Sequence, residues 1–109
     1  MPKAAGLPPG TLIVLILRVL RPGPLHGYAI AQRIRQLSSE QLSVEEGSLY
    51  PALQKALANG WVKAEWTTSD TGRQVRSYRL TAKGLKQLET RQNDYQRMAD
   101  AIAAIFDAT

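Results

Sequence analysis

Residues 46–61 read EGSLYPALQKALANGW, and this stretch determines how the rest of the chain is interpreted. Apolar residues recur in it at the spacing of a helix that buries one side, namely Leu49, Leu53, Ala56 and Leu57. Asn59 and Gly60 should end the helix, because both tolerate the left-handed backbone found at helix ends. Pro51 should either lie in the first turn, where a proline forfeits no hydrogen bond that the helix would have made, or distort the turn before it.

The opposite face of this helix is small, polar and free of carboxylates, and it carries Ser48, Pro51, Gln54, Lys55 and Ala58. Such a face suits the major groove of DNA, where glutamine pairs with adenine and lysine with guanine. We therefore predict base or near-base contacts from Ser48, Gln54 and Lys55. Pro51 would press on a sugar or a thymine methyl group, or only stiffen the helix start. The alternative for the whole face is an ordinary solvated surface.

The composition limits the chemistry that the chain can perform. Its 109 residues, 44% of them hydrophobic, suffice for one domain with a core, and they include no cysteine and one histidine. Disulfides, thiolate zinc sites and thiol nucleophiles are excluded, and we expect no catalytic residues, no metal site and no cofactor. The longest apolar run, residues 11–17, is too short to cross a bilayer, and no signal peptide is recognisable. A soluble cytoplasmic protein without membrane contacts is expected.

Positive charge is concentrated in the front part of the chain, although the net charge is only +5. Residues 1–88 contain twelve Lys or Arg against five Asp or Glu, whereas residues 89–109 contain two against four. Two segments, residues 18–39 and 71–88, contain no acidic residue at all. This distribution predicts a part that binds a polyanion joined to a mildly acidic tail. The alternative is a basic surface that serves solubility.

The segments before residue 46 predict two helices. Residues 1–9 are rich in proline, glycine and alanine and are expected to form a flexible arm. Thr11 is the expected cap of a largely buried first helix, which ends at the turn of residues 22–24, Pro-Gly-Pro. A second helix is predicted for residues 27–37, with Tyr28 on its apolar face.

The segments around residue 61 change from a helical period to the alternation of strands. Residues 42–44, Leu-Ser-Val, are compatible with a short strand. Residues 61–66 alternate and predict a longer strand, and residues 74–80 predict its partner. Between them, TTSDTGR at residues 67–73 supplies the turn chemistry of a hairpin.

Several further residues are candidates for contacts with the DNA backbone. Arg73 and Arg76 bracket the hairpin tip and should contact phosphate or the minor groove, unless they are merely solvated. Lys63 is a weaker candidate on the first strand of the hairpin. His26 precedes the second helix, where free N–H groups attract phosphate, or it caps and packs at the turn. Tyr50 reaches a phosphate through its hydroxyl or packs in the core.

The last helix is predicted to begin at residue 81 and to run to about residue 108. Its apolar residues repeat in steps of three and four, with Gln92 as a polar interruption, and they are Leu85, Leu88, Tyr95, Ala99, Ile102 and Phe106. About 25 helical residues span about 37 Å, which is longer than a small domain can cover. We therefore predict that these six residues form the dimerisation interface with a second copy of the chain.

Three helices followed by a two-stranded hairpin predict a mostly α, α+β fold, the winged helix-turn-helix. Residues 10–80 would be the DNA-binding domain and residues 81–109 the dimerisation helix. Helix 46–59 would enter the major groove, with the wing, residues 67–76, beside it. The predicted function is sequence-specific DNA binding in transcription regulation. The alternative is a winged-helix module for protein–protein interaction that does not bind DNA, although such a module would not need a basic front part.

Three stretches carry a family resemblance: GTLIVLILRVLRPGPLHGYAIAQRI, then EEGSLYPALQKALANGWVKAEW, then VRSYRLTAKGLKQLE. In this order and without gaps, from residue 10 to residue 89, they resemble the PadR family of bacterial transcription regulators, in its short form with a single C-terminal helix. The resemblance implies a homodimeric repressor on a palindromic operator.

The resemblance also raises the question of an effector, because some members release DNA when a small molecule binds. Certain short members stack flat drugs between tryptophans of the dimerisation helix. Here Trp61 and Trp66 both belong to the first hairpin strand, and the last helix has only Tyr95 and Phe106 as aromatic residues. That pocket is therefore not predicted, and an effector of another kind stays an open expectation.

Overall fold

A computed structural model of the chain describes residue 7 and residues 10–108. The described residues form four helices and three strands, which are α1 (Thr11–Val19), β1 (Leu25–His26), α2 (Gly27–Leu37), α3 (Glu46–Ala58), β2 (Val62–Thr68), β3 (Gln74–Leu80) and α4 (Ala82–Phe106). This order confirms the α+β class and the winged helix-turn-helix. The arm predicted for residues 1–9 lies outside the described residues, apart from residue 7.

The three strands form one antiparallel sheet in the order β1-β3-β2. The β2–β3 hairpin is paired from Val62 opposite Leu80 to Thr68 opposite Gln74. Residues 42–44, which are compatible with a short strand, form none, and Leu42 and Val44 pack partly buried against the core. The two-residue β1 occupies the free edge of β3 instead.

The hydrophobic core is centred on α1, which packs against α2, α3 and α4. Its buried side chains include Ile16 and Leu17, both with no exposed surface. The predicted Thr11 cap is wrong. Gly10 occupies the N-cap position with a φ of 83° and makes no side-chain hydrogen bond, and Thr11 is already the first helical residue.

The placement of Tyr28 in the core is also wrong, since 66% of its surface is exposed. The buried residues of α2 are Gly27, Ile30 and Ile34, which follow one another at intervals of three and four. Tyr28 lies about 200° around the helix from Ile30, at 100° per residue, and therefore points away from the core.

In α3 the predicted apolar stripe is confirmed, with Leu49 and Leu53 buried. The helix begins at Glu46, as predicted, and the N–H groups of residues 48 and 49 donate to the Glu45 carbonyl, at 3.0 and 2.9 Å. Pro51 is the sixth residue of α3 and therefore lies beyond the first turn, which leaves the second of the two alternatives. Since proline has no N–H group, the Gly47 carbonyl lacks its usual helical partner.

A tight junction joins the end of α3, the sheet and the start of α4. Gly60 ends the α3 segment with a φ of 73°, as predicted, and the Thr81 hydroxyl donates to its carbonyl at 2.7 Å. The same hydroxyl accepts from the Gly84 N–H at 3.0 Å and thereby caps α4. The Thr81 N–H donates to the Trp61 carbonyl at 3.0 Å. A methyl group at Gly84 would overlap that carbonyl oxygen and lie 2.8 Å from the Leu80 side chain.

The two halves of α4 differ in environment. Leu88 is completely buried and Leu85 is half-buried against the core, where the first half of α4 packs on α1. The prediction that Leu88 contacts a partner chain is therefore wrong, because the chain's own core already encloses it. From Tyr95 onward the large apolar side chains are exposed, while Ala99 is half-buried.

The junction makes a prediction about stability. We expect Gly84→Ala to lower the free energy of unfolding by about 2 kcal/mol or more, because the methyl group displaces hydrogen-bonded backbone and cannot be accommodated by a rotamer change. Urea unfolding followed by circular dichroism measures the change. Gly47→Ala is the matched control in a helix, since no atom lies within 4 Å of its added methyl group. That variant should be neutral or more stable by up to about 1 kcal/mol. Equal losses in both variants would contradict the packing role of Gly84.

Candidate nucleic-acid interface

The outward face of α3 presents the predicted base-contacting residues together. Ser48, Gln54 and Lys55 are exposed, and so is Pro51. At 100° per residue these four lie within an arc of about 120°, on the side opposite the buried leucines. The structure thus brings them onto one solvent-facing surface that contains hydrogen-bonding groups and no carboxylate.

Tyr50 of α3 packs against the start of α2. Its ring lies over the first residue of α2, where a Cβ atom on Gly27 would be 3.3 Å from the Tyr50 hydroxyl oxygen. The missing side chain of Gly27 therefore makes room for the ring. Because 44% of Tyr50 remains exposed, the ring packs on backbone at the edge of the α3 face without being enclosed in the core.

Tyr78 of β3 connects this edge to the hairpin. Burial raises the pKa of the Tyr78 phenol, the nearby Arg76 guanidinium lowers it, and the Tyr50 hydroxyl raises it further. The Arg76 guanidinium carbon is 5.9 Å from the centre of the Tyr78 ring, in cation–π distance. Tyr50, Tyr78 and Arg76 thus lie between α3 and the wing, and we call these three residues the tyrosine–arginine series.

The wing tip is shaped by hydrogen bonds within residues 69–73. The Gly72 N–H donates to the Ser69 carbonyl at 2.9 Å, and Gly72 has a φ of 82°. The Ser69 N–H then donates to the Arg73 carbonyl at 2.8 Å, which closes a three-residue loop of a common hairpin type. Arg73 is therefore held at the first position after the tip, with its side chain exposed.

The two faces of the hairpin carry different cations. Because Trp66 pairs with Arg76, and side chains alternate along each strand, these two residues share the face that continues to Tyr78. Lys63 pairs with Arg79, and both lie on the other face. The structure therefore does not bring Lys63 together with the α3 surface and the tyrosine–arginine series.

This combination of helix pair, exposed polar helix face and basic wing corresponds to a family of known proteins. Residues 16–90 match the model of the transcriptional regulator PadR-like family. The chain belongs to the PadR-like family. The members of this family are transcriptional regulators and not enzymes, so the fold supports a DNA-binding regulator.

Solved structures agree with the PadR-like assignment. A transcriptional regulator from Clostridium thermocellum is 26% identical with a TM-score of 0.79, covering 87% of this chain and 92% of that one. A PadR family transcriptional regulator from Eggerthella lenta is 26% identical with a TM-score of 0.75, covering 92% of this chain and 85% of that one.

A relative known from sequence is larger than this chain. An uncharacterised 37.1 kDa protein in transposon TN4556 of Streptomyces fradiae is 37% identical over 89 residues, which are 82% of this chain. Those residues are 24% of that protein, so the chain spans about a quarter of the length of the relative that it matches.

His26 has a structural role in this PadR-like chain. The Ala29 N–H donates to its Nδ1 at 3.4 Å, so His26 caps α2, as in the structural alternative stated for it. Its Nδ1 is thus engaged by the backbone of α2. Within residues 10–108, no cluster of three or more His, Asp or Glu residues could hold a metal ion. No described helix is long and apolar enough to span a membrane.

The tyrosine–arginine series was only partly accessible to sequence reasoning. Arg76 and Tyr78 are two residues apart in a predicted strand, and the alternation of strands already places them on one face. The approach of Tyr50 to Tyr78 joins residues that are 28 positions apart in the chain, and no local pattern indicates it. Trp66 was noted only as a hairpin tryptophan, although its pairing with Arg76 places it beside this series.

The raised pKa of Tyr78 predicts a loss of stability in alkali. Below its ordinary pKa of 10.0 both the folded and the unfolded chain keep the phenol proton. As the pH rises above that value, the unfolded chain binds fewer protons than the folded one, so the free energy of unfolding falls. Urea unfolding at about pH 9 and about pH 11 should show a larger loss for the wild type than for Tyr78→Phe. Identical losses would contradict the burial of this phenol.

Proposed function

We propose that this PadR-like protein is a homodimeric repressor that binds a pseudo-palindromic operator in double-stranded DNA. In this proposal α3 enters the major groove, and the wing, residues 67–76, contacts the backbone beside it. One observation carries the proposal: the tyrosine–arginine series connects the polar face of α3 to the arginine-bearing face of the wing. The polar face of α3 and the arginine-bearing face of the wing thus place hydrogen-bonding groups for bases near cations for phosphates.

The residues of α3 have separate roles in this proposal. Gln54 and Lys55 hydrogen-bond to base edges, and Ser48 contributes a hydroxyl that is less selective among bases. Pro51 makes an apolar contact with a sugar or a thymine methyl group. Tyr50, held at the edge by its packing on α2, donates a hydrogen bond from its hydroxyl group to a phosphate. Mutations of Gln54 should therefore alter sequence preference more than general affinity for DNA.

The wing supplies most of its affinity through charge. Arg73 and Arg76 contact phosphates or the minor groove on either side of the tip. Lys63, on the other hairpin face, adds to the long-range attraction of DNA without a direct contact. His26 contributes through the cap that fixes the start of α2.

The exposed half of α4 supports the homodimer. Its large apolar side chains form a stripe in which Ile105 is 72% and Phe106 is 81% exposed, together with Tyr95, Met98 and Ile102. Met98 and Ile105 extend the stripe beyond the residues predicted from the heptad. A second copy would cover this surface and hold two α3 helices at one separation, about 34 Å for successive major grooves. The repressor role rests on the family resemblance.

A cleft between α1 and α4 is the proposed place for an effector. Its volume is about 790 Å³, within the range of drug-sized ligand sites. Val14, Leu15 and Tyr95 supply apolar surface, while Arg91 and Asp94 supply opposite charges. A ligand there would contact the base of the dimerisation helix and could change its direction.

Selection of bound fragments from the source genome tests the function as a whole. A palindromic consensus would support both DNA recognition and two-fold symmetry. The competing function, a winged-helix module for protein–protein interaction, is favoured if no duplex DNA is retained at low salt by the folded protein.

Neutralising a wing cation should weaken binding in a defined way. We expect Arg73→Gln to raise the dissociation constant by about tenfold and to reduce the salt slope by about 0.9 for each phosphate that the variant no longer neutralises. Arg97→Gln is the control with the same charge change, because Arg97 lies in the exposed half of α4 and pairs with Asp94. Fluorescence anisotropy titrations at several salt concentrations measure both quantities. Equal effects of the two variants would indicate general electrostatics instead of contact by the wing.

A charge in the apolar stripe of α4 should dissociate the dimer. We expect Ile102→Glu to weaken association by about 100-fold or more, because an unpaired carboxylate would be buried, at a cost of about 3 kcal/mol. Ala104→Glu introduces the same charge about 200° around the helix and should leave the dimer intact. Sedimentation velocity distinguishes the two species. A wild-type protein that sediments as a monomer would refute the homodimer itself.

A further inference from the structure

Trp66 is a large aromatic side chain left uncovered near the end of β2. Its surface is 68% exposed, whereas Trp61, five residues earlier, is only 8% exposed and packs in the core. Tryptophan combines a broad apolar ring with one N–H donor, and such residues concentrate at interfaces that cover the ring and satisfy the donor. The exposure of Trp66 is not explained by the packing of the hairpin.

The register of the hairpin determines which way Trp66 is turned. Trp66 pairs with Arg76, and Ala64 pairs with Tyr78, so all four side chains lie on one face. Tyr78 is buried at the inner end of this face, and Arg76 lies over its ring. Trp66 therefore lies beside Arg76, on the neighbouring strand and at the outer end of the tyrosine–arginine series.

The residues around Trp66 indicate which kind of molecule would cover its ring. On its face of the hairpin the other residues are Val62, Ala64, Thr68, Gln74, Arg76, Tyr78 and Leu80, which include a cation and no acid. Glu65 is on the opposite face, and Arg73 follows the tip. An apolar ring beside guanidinium groups matches a partner that alternates anionic groups with apolar surfaces. The deoxyribose-phosphate backbone of DNA has this character.

We propose that Trp66 is a DNA-contacting residue of the wing, with its indole ring packed on deoxyribose and its N–H group donating to a phosphate next to the one bound by Arg76. This inference rests on the proposed function and adds a contact that is not electrostatic. It assigns part of the wing's affinity to apolar burial, which salt does not screen. Loss of Trp66 should therefore weaken binding without changing the salt slope, unlike loss of Arg73.

The affinity test compares neighbouring residues on opposite faces of β2. We expect Trp66→Ala to raise the dissociation constant for an operator duplex, or for sheared genomic DNA at low salt, by at least about fivefold. The salt slope should stay within about 0.3 of the wild-type value, since no phosphate cation is removed. Glu65→Gln, an exposed change on the other face and outside the wing, removes a carboxylate and should not raise the dissociation constant. A wild-type dissociation constant for Trp66→Ala would overturn the inference.

A spectroscopic test does not depend on the stability of the alanine variant. Trp66 is the only tryptophan that remains in the variant Trp61→Phe, so acrylamide quenching of its fluorescence reports the exposure of Trp66 alone. We expect strong quenching in the free protein and a quenching constant lower by about twofold or more when duplex DNA is bound. Quenching that is equally strong with DNA bound would overturn this inference while leaving the proposed function intact. Weak quenching already in the free protein would also overturn it, because a protein surface would then cover the ring.

The two hypotheses fail in different ways. If the wild-type protein is folded but retains no duplex DNA at low salt, the proposed function fails, and the Trp66 contact fails with it. If DNA is bound with the expected dependence on Arg73 and only the Trp66 experiments give no change, the contact alone is refuted.

Discussion

The contact between Gly84 and the Trp61 carbonyl is the constraint on which the rest of the architecture depends. Trp61 lies three residues after the end of α3, and its N–H donates to the Ala56 carbonyl at 2.9 Å. The Thr81 N–H, at the end of the sheet, donates to the Trp61 carbonyl. Three elements thus meet at the backbone of one residue, Trp61, and α4 approaches so closely that only glycine fits. The direction in which α4 leaves the domain is therefore set relative to α3. In a symmetric dimer this direction would determine the separation of the two recognition helices.

Arg91 makes a second contact that fixes the direction of α4. The Arg91 guanidinium carbon lies 5.2 Å from the Trp61 ring, and its Nη1 lies 3.5 Å from where a Cβ atom of Gly10 would be. Arg91 thus joins α4 to the start of α1 as well as to Trp61, and Leu88 is buried nearby. The first half of α4 is consequently part of the winged-helix core, not of a separate dimerisation segment beginning at residue 81. Only the half beyond Arg91 offers apolar surface to a second chain.

Sequence reasoning succeeded where a local pattern determines the structure and failed where a distant contact does. The stripe of α3 and the limits of β3 follow from periodicity and from the turn residues on either side. β1 has two residues, too few for any period, and forms because β3 offers it an edge. For Leu88 the heptad correctly indicated burial. A heptad cannot distinguish burial within the chain from burial against a partner, and only the contact with α1 decided between them.

A distant contact also bears on the proposed binding of DNA by the wing, because it restricts the side chain of Arg76. A free arginine side chain loses considerable conformational entropy when it is fixed on a phosphate. Arg76 is already restricted by its position over the buried Tyr78 ring, and Tyr78 is held between two neighbouring strands. In the proposed complex, binding would therefore fix a side chain whose freedom the Tyr78 ring already restricts, which would favour affinity at a given number of charges. Arg73 at the loop has no such aromatic support among the described residues, so the two arginines should differ in what each contributes to recognition.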